Sequence, residues 1–202
     1  MFLDLASIIG CQVRATDKLA GSVEDVLVDD VLWTLRHVAV ADAGGLGTQA
    51  SLIEPGNLVS VDTGGEDLSV SLTHEQVAGG PDVSSDLPVS EQSGGRGDPH
   101  LRSLKEITGY AVHGPDGPIG TLAALIADDA AWKIHFVAVE TGDWNDGRTV
   151  LVAPGMLNEL DHEKHNVHSD LDRDHISRSP DYDPATPIEN EADVKLAGRV
   201  GI

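Results

Sequence analysis

The sequence predicts an all-β protein made of two small β-barrels in tandem, each of five to six strands, joined by a flexible linker. The first observation is a repeat without gaps at an offset of 99 residues, in which 20 of 79 compared positions (5–83 against 104–182) are identical. The second is that each copy consists of short apolar stretches separated by turn residues, with few stretches long enough for an amphipathic helix. A repeat of this length corresponds to a whole small domain.

The repeat also sets the predicted domain boundaries. Residues 1–83 form the first domain and residues 101–183 the second. Residues 84–100 are rich in Ser, Gly, Asp and Pro, which is the composition of a flexible linker. Residues 184–202 follow as an irregular C-terminal tail. Because each domain is too small to bury a large core, we expect the two domains to pack together or the chain to form a homodimer.

Each repeat is predicted to begin with a short strand at Val13 or Val112, followed by a turn rich in Asp, Gly and Pro. A longer strand follows at 21–29 and 120–128. Its apolar positions change phase midway, which predicts a bulge that lets the strand curve. Two aspartates then end this strand in a turn.

The return strand is predicted at 33–40 and 132–139, where side chains alternate between two faces. A short strand ends before Pro55 and before its equivalent in the second repeat, and a last strand covers 68–72. In the first repeat, Thr73 is expected to cap one helical turn. Five or six short strands in about 80 residues are expected to close into a barrel, because closure hides the strand edges.

The composition excludes some classes of partner. The formal net charge is −21, whereas nucleic acids and anionic membrane surfaces bind Lys and Arg, so we expect neither as a partner. No stretch approaches the ~20 apolar residues of a membrane span. The single cysteine, Cys11, cannot form an internal disulfide and is expected to be a small buried core residue. These features predict a cytoplasmic protein. Its negative charge either keeps the protein soluble or attracts a cationic partner.

Ten positions recur in the same order in both repeats. They are Gly10, Val13, Gly21, Val23, Asp29, Val38, Val40, Pro55, Leu72 and Pro81, and in the second repeat Gly109, Val112, Gly120, Leu122, Asp128, Val137, Val139, Pro154, Leu171 and Pro180. This order resembles the PRC-barrel family. The resemblance implies a small β-barrel of the kind found in the photosynthetic reaction-centre H subunit, in a ribosome-maturation factor and in stand-alone bacterial proteins, of which the stand-alone kind fits best. It implies no catalytic residues.

Several types of metal-ligating residue lie close together in one segment of the sequence, residues 161–175 of the second repeat, which is rich in His, Asp and Glu. The histidines are His162, His165, His168 and His175. Imidazole and carboxylate groups suit zinc or nickel. The equivalent segment of the first repeat, 63–67, contains no histidine and is predicted to be a hairpin turn. We therefore expect a solvated turn with no metal or cofactor, and a metal site on these histidines is the alternative.

The paired aspartates after the long strand recur at 29/30 and 128/129. We interpret them as acceptors of backbone N–H groups in a turn, rather than as calcium ligands or paired general acids. Trp33 and Trp132 follow these turns and are expected to pack in the core or at its rim. The alternative is that they contact a protein partner, with Trp144, in a loop without an aromatic counterpart, as a third candidate contact.

The functional prediction depends on the catalytic motifs that the sequence lacks. It contains no glycine-rich phosphate loop, no nucleophile elbow and no cysteine paired with a base. We predict a non-catalytic protein-interaction or assembly module, not an enzyme, whose partner the sequence does not identify. The alternative is a metal-binding or small-molecule hydrolytic protein that uses the histidine-rich turn of the second repeat.

Overall fold

The computed structural model describes residues 1–42, 50–62, 66–93, 97–186 and 188. The chain is mainly β-strand and divides into two compact units. The N-terminal unit is Leu5–Lys105, and the C-terminal unit combines Met1–Asp4 with Glu106–Ile202. Each unit contains one seven-stranded sheet. The mainly β, two-unit character that the sequence predicts is confirmed.

The regular elements are strands of three to 12 residues and single helical turns. The strands are β1 (Phe2–Asp4), β2 (Gln12–Arg14), β3 (Leu19–Asp29), β4 (Thr34–Asp42), β5 (Ser51–Ile53), β6 (Leu58–Val61), β7 (Asp67–Val70), β8 (Leu101–Ser103), β9 (Ala111–Gly114), β10 (Gly117–Asp128), β11 (Ile134–Thr141), β12 (Thr149–Val152), β13 (Leu157–Asp161) and β14 (Asn166–Ser169). The α-helical turns are α1 (His74–Ala78), α2 (Leu104–Ile107) and α3 (Arg173–Ser177). No helix in the described parts of the chain has the length and apolar character needed to cross a membrane.

The two sheets have equivalent strand orders. In the N-terminal unit the order is β5-β4-β3-β2-β7-β6, and β8 also pairs with β3. In the C-terminal unit it is β12-β11-β10-β9-β14-β13, and β1 also pairs with β10. The β2–β7 and β9–β14 pairs are parallel, and the other pairs are antiparallel. The sequence repeat is therefore also a repeat of topology.

Neither sheet closes into the barrel that the sequence predicts. Within the described ranges, no ladder joins β5 to β6 or β12 to β13, the two ends of each sheet. The edge of β5 is covered by the segment that follows α1: Leu52 N–H donates to the carbonyl of Pro81 at 2.7 Å, and the β12 edge has an equivalent bond from Leu151 to Pro180 at 2.9 Å. Because a non-strand segment hides these edges, closure is not needed to hide them.

The seventh strand of each sheet comes from the far side of the sequence repeat, which is why the predicted count of five to six strands is too low. β1 precedes the first repeat in the chain but pairs with β10, and β8 precedes the second repeat but pairs with β3. The registers are equivalent at the 99-residue offset: Leu3 lies opposite Ala127, and Arg102 opposite Val28. The units therefore divide the chain differently from the predicted domains 1–83 and 101–183.

The exchanged strands contribute apolar side chains to the cores that they join. Leu101 of β8 is completely buried in a cluster of the N-terminal unit, with Leu27, Ala39, Ala50 and Leu52. Phe2 of β1 packs against a cluster of the C-terminal unit, with its ring centroid 5.4 Å from that of Phe136. As expected, Cys11 is buried, and burial raises the pKa of its thiol.

The predicted linker, 84–100, belongs to the N-terminal unit. Two 3₁₀ turns involve this region: Val83–Ser85 and Val89–Glu91. Gln92 Nε2 donates hydrogen bonds to the carbonyls of Leu87 and Asp98 at 2.9 and 2.7 Å. The polar residues that give this segment a linker-like composition therefore form local turns in its described part. Of the predicted tail, 184–202, only 184–186 and 188 are among the described residues.

Two local predictions are confirmed. The register of β3 against β4 shifts between Val23 and Asp25, as expected for the predicted bulge, and β10 has the equivalent shift. Thr73 caps α1 with a complete capping box, in which Gln76 N–H donates to Thr73 Oγ1 and Thr73 N–H donates to Gln76 Oε1. Both follow from short-range backbone chemistry.

One pair of equivalent glycines is identical in both repeats for a steric reason. Gly21 in β3 and Gly120 in β10 lie against the next strand, and a Cβ atom added there would meet the carbonyl oxygens of Ala41 and Glu140 at 2.0 and 1.9 Å. No side chain fits at that distance from backbone. Glycine therefore occurs at both positions because β3 lies close to β4, and β10 lies equally close to β11.

Candidate functional site

The turn between β3 and β4, residues 29–33, is the N-terminal acidic turn. Asp29 Oδ1 accepts hydrogen bonds from the N–H groups of Val31 and Leu32 at 2.9 and 2.7 Å. Trp33 then adopts a left-handed backbone conformation with φ of 52°, which costs about 1–2 kcal/mol for a non-glycine residue. The two carboxylate bonds and the burial of the tryptophan ring stabilise this conformation.

The second oxygen of Asp29 binds Arg36 of β4, with Nη1 and Oδ2 2.9 Å apart. Burial alone would raise the pKa of Asp29, but the N–H bonds from Leu32 and Val31 and the Arg36 guanidinium outweigh it, and the pKa is lowered. Asp29 therefore remains ionised at neutral pH, with both oxygens engaged in holding the turn.

Asp30 links the same turn to the exchanged strand β8. Its Oδ2 lies 2.6 Å from Arg102 Nε, and its Oδ1 lies 3.0 Å from His100 Nδ1. The side chains of Arg102 and Asp30 are only 9% and 7% exposed. The pair joins the turn to β8, and removing one partner would leave an uncompensated buried charge.

The C-terminal unit has an equivalent turn between β10 and β11. Asp128 accepts hydrogen bonds from the N–H groups of Ala130 and Ala131 at 3.0 and 2.6 Å, and its other oxygen lies 3.0 Å from His135 Nε2. Trp132 is also left-handed, with φ of 55°. As at Asp29, these bonds outweigh burial and lower the pKa of Asp128. The predicted role as turn acceptor is confirmed for the first aspartate of each pair, Asp29 and Asp128. The second aspartates, Asp30 and Asp129, form ion pairs instead.

The two turns differ at their tips. Val31 and Leu32 are 60% and 63% exposed, whereas the equivalent residues in the second repeat are Ala130 and Ala131. The large apolar side chains found exposed in the described ranges are Met1, Val31, Leu32 and Val59. Val31 and Leu32 form an adjacent pair on a turn that the carboxylate of Asp29 holds. We call this pair the apolar tip.

Two of the three tryptophans that the sequence offers as partner contacts are buried in the structure. Trp33 and Trp132 are buried, which agrees with the core-packing interpretation and leaves neither ring at the surface. Trp144 is partly buried, its Nε1–H donates to the carbonyl of Ile119 at 2.7 Å, and the guanidinium of Arg173 lies 5.1 Å from its ring centroid. Trp144 therefore anchors its own loop.

The apolar tip is not among the contacts predicted from the sequence. The signal was present, because the two residues between the paired aspartates and the tryptophan are valine and leucine in the first repeat and alanines in the second. The predicted contacts are instead Trp33 and Trp132, which recur in both repeats, and Trp144, which has no aromatic counterpart. A difference at the tip of an otherwise equal turn was the more informative feature.

The histidines of the alternative metal site do not converge. They are His162, His165, His168 and His175. The ring of His165 stacks on Tyr110 at 5.1 Å between centroids, His175 Nδ1 lies 2.7 Å from Asp172 Oδ1, and His168 lies beside His113. The described residues contain no group of three or more His, Cys, Asp or Glu that could hold a metal ion.

Comparison of the chain with protein-family models and with curated proteins finds no match. The resemblance to PRC-barrel proteins thus stays a prediction from the order of the sequence motifs.

Proposed function

We propose that the chain is a non-catalytic protein-interaction module of two PRC-barrel-like repeats, acting in the cytoplasm, and that the apolar tip is its contact with a protein partner. The observation that carries the proposal is the exposure of Val31 and Leu32 on a turn held by Asp29. A fixed backbone lowers the entropy cost of binding, since little order has to be gained in the complex.

The chemistry of the partner follows from the charge of the chain. The tip belongs to a chain of net charge −21. The two aspartates that precede it, Asp29 and Asp30, are buried and already paired within the protein, so the charge that a partner meets is that of the surrounding acidic surface. A complementary partner presents a small apolar pocket for the valine and leucine side chains, with Lys or Arg around it. The apolar contact supplies affinity, and the opposite charges increase the association rate and the selectivity.

A non-catalytic role agrees with how the carboxylates of this turn are engaged. Both oxygens of Asp29 accept hydrogen bonds from backbone N–H groups or Arg36, and both oxygens of Asp30 are paired with Arg102 and His100. A general acid or base must exchange its proton with a substrate. These groups instead support the turn and the exchanged strand.

The second repeat provides the test variant. Val31→Ala with Leu32→Ala gives the first turn the tip residues of the second turn, so the fold already accommodates the change. Val59→Thr, at another valine that is 64% exposed, is the matched control. Proteins captured from the source cells by the wild-type chain are compared with those captured by each variant. Affinities are then measured with the purified captured protein.

We expect one captured protein to depend on the tip. If Val31 and Leu32 enter a pocket, their truncation costs about 2–4 kcal/mol, which is between about 30-fold and 1,000-fold in Kd. The Val59→Thr variant should change Kd by less than about twofold. Capture that is indifferent to the tip, equal loss in the Val59 variant, or no specific capture by the wild-type chain would overturn the proposal.

A further inference from the structure

Most histidines with a hydrogen-bonded ring nitrogen are paired with an aspartate. These are His37, His100, His135 and His175. In contrast, His113 and His168 have no hydrogen bond or ion pair with any residue in the described ranges, and their rings face each other. Their nitrogen atoms are therefore available to a ligand from solution.

The parallel pairing of β9 and β14 brings these two residues together. His113 and His168 are register partners on adjacent strands, so their side chains leave the same face of the sheet. Their ring centroids are 6.2 Å apart, with an angle of 38° between the rings. His168 is exposed and His113 is half-buried, so the pair is open to solvent.

This separation is close to that of two imidazoles on one metal ion. With a zinc–nitrogen distance of about 2.1 Å, a ring centroid lies about 3.2 Å from the metal, so two rings at a tetrahedral angle have centroids about 5.2 Å apart. Side-chain rotation on a solvent-exposed face can supply the remaining approach of about 1 Å. We propose that His113 and His168 together bind a divalent late transition-metal ion such as Zn²⁺.

The surroundings fit a cation. Glu159 of β13 is the register partner of His168 on its other side, so a carboxylate lies next along the same row of the sheet. Since no group of three potential ligands is found in the described ranges, two imidazoles are the protein ligands and water completes the coordination. Imidazole nitrogen selects Zn²⁺, Ni²⁺ or Cu²⁺ over Mg²⁺ and Ca²⁺, which prefer oxygen ligands.

The first repeat serves as an internal comparison. Its equivalent register pair is Arg14 and Ser69, again on adjacent parallel strands. Arg14 Nε there lies 3.0 Å from Asp67 Oδ1. The sheet does not need histidine at these positions, so replacing His113 or His168 should not disturb folding. The proposed site is thus specific to the second repeat.

The test is zinc titration calorimetry on the full chain without an affinity tag, in physiological salt and excess Mg²⁺, which saturates unspecific binding to the acidic surface. We expect one Zn²⁺ per chain. His113→Gln and His168→Gln should each weaken binding about a hundredfold, because the second imidazole acts intramolecularly. The double variant should be little weaker than either single variant, which is the signature of joint ligation.

His162→Gln and His175→Gln are the matched controls, and each should leave the zinc affinity within about twofold. Thermal unfolding without metal checks that all variants fold equally. The proposal is overturned if zinc binding follows His162 or His175 instead, if it survives loss of both His113 and His168, or if no saturable binding occurs up to about 1 mM Zn²⁺.

Discussion

Replacing Leu101 with alanine tests the exchanged strand directly, because Leu101 precedes the second repeat in sequence but lies in the N-terminal unit. Its side chain is completely buried with Leu27, Ala39 and Leu52. Removing three carbon atoms costs about 2.4 kcal/mol of transfer free energy at ~0.8 kcal/mol for each. The cavity left behind raises the expected loss in the free energy of unfolding to about 3–5 kcal/mol.

Amide hydrogen exchange measured by peptide locates this loss. In the Leu101→Ala variant, protection should fall in β3, β4 and β5, while β10, β11 and β12 change little. Phe2→Ala is the reciprocal variant, since Phe2 packs against Phe136, and it should lower protection in β10, β11 and β12. If Leu101→Ala instead loosened β10–β12 and left β3–β5 protected, the assignment of β8 to the N-terminal unit would be wrong.

Two further predictions concern the positions that are equal in both repeats. Gly21→Ala should lower the free energy of unfolding by at least about 3 kcal/mol in urea titration, because its Cβ would collide with the carbonyl of Ala41. Gly56 is also identical in both repeats, but the space around its Cβ position is open. The control variant Gly56→Ala should therefore stay within about 0.5 kcal/mol of wild type. The lowered pKa values of Asp29 and Asp128 mean that these carboxylates stabilise the fold above their unfolded pKa of about 3.9, and that this stability is lost as pH falls through their folded pKa. The Asp29→Asn variant should therefore be less stable than wild type at neutral pH and converge with it in strong acid; an equal acid dependence in both proteins would contradict the role given to this carboxylate.

The sequence predicts those features of the fold that depend on neighbouring residues. The bulge in β3, the cap at Thr73 and the turn bonds of Asp29 all follow from local backbone chemistry. The exchange of β1 and β8 does not, because three-residue strands have too little periodicity to identify partners that lie 124 and 74 positions away in the sequence. Barrel closure was predicted to hide strand edges, but the Pro81 segment covers β5 without it. His113 and His168 meet only through the parallel pairing of β9 and β14.

Comparing the repeats separates folding from function in this chain. Gly21, Asp29 and Trp33 are identical to their equivalents, and each has a structural cause: a close strand approach, a turn acceptor and a buried ring. Both proposed contacts lie where the repeats differ, at the Val31–Leu32 tip of one unit and at the His113–His168 pair of the other. A duplicated fold keeps the residues that each copy needs for stability and can change the others independently. Positions that differ between copies on equal backbone geometry are therefore the first to test for binding.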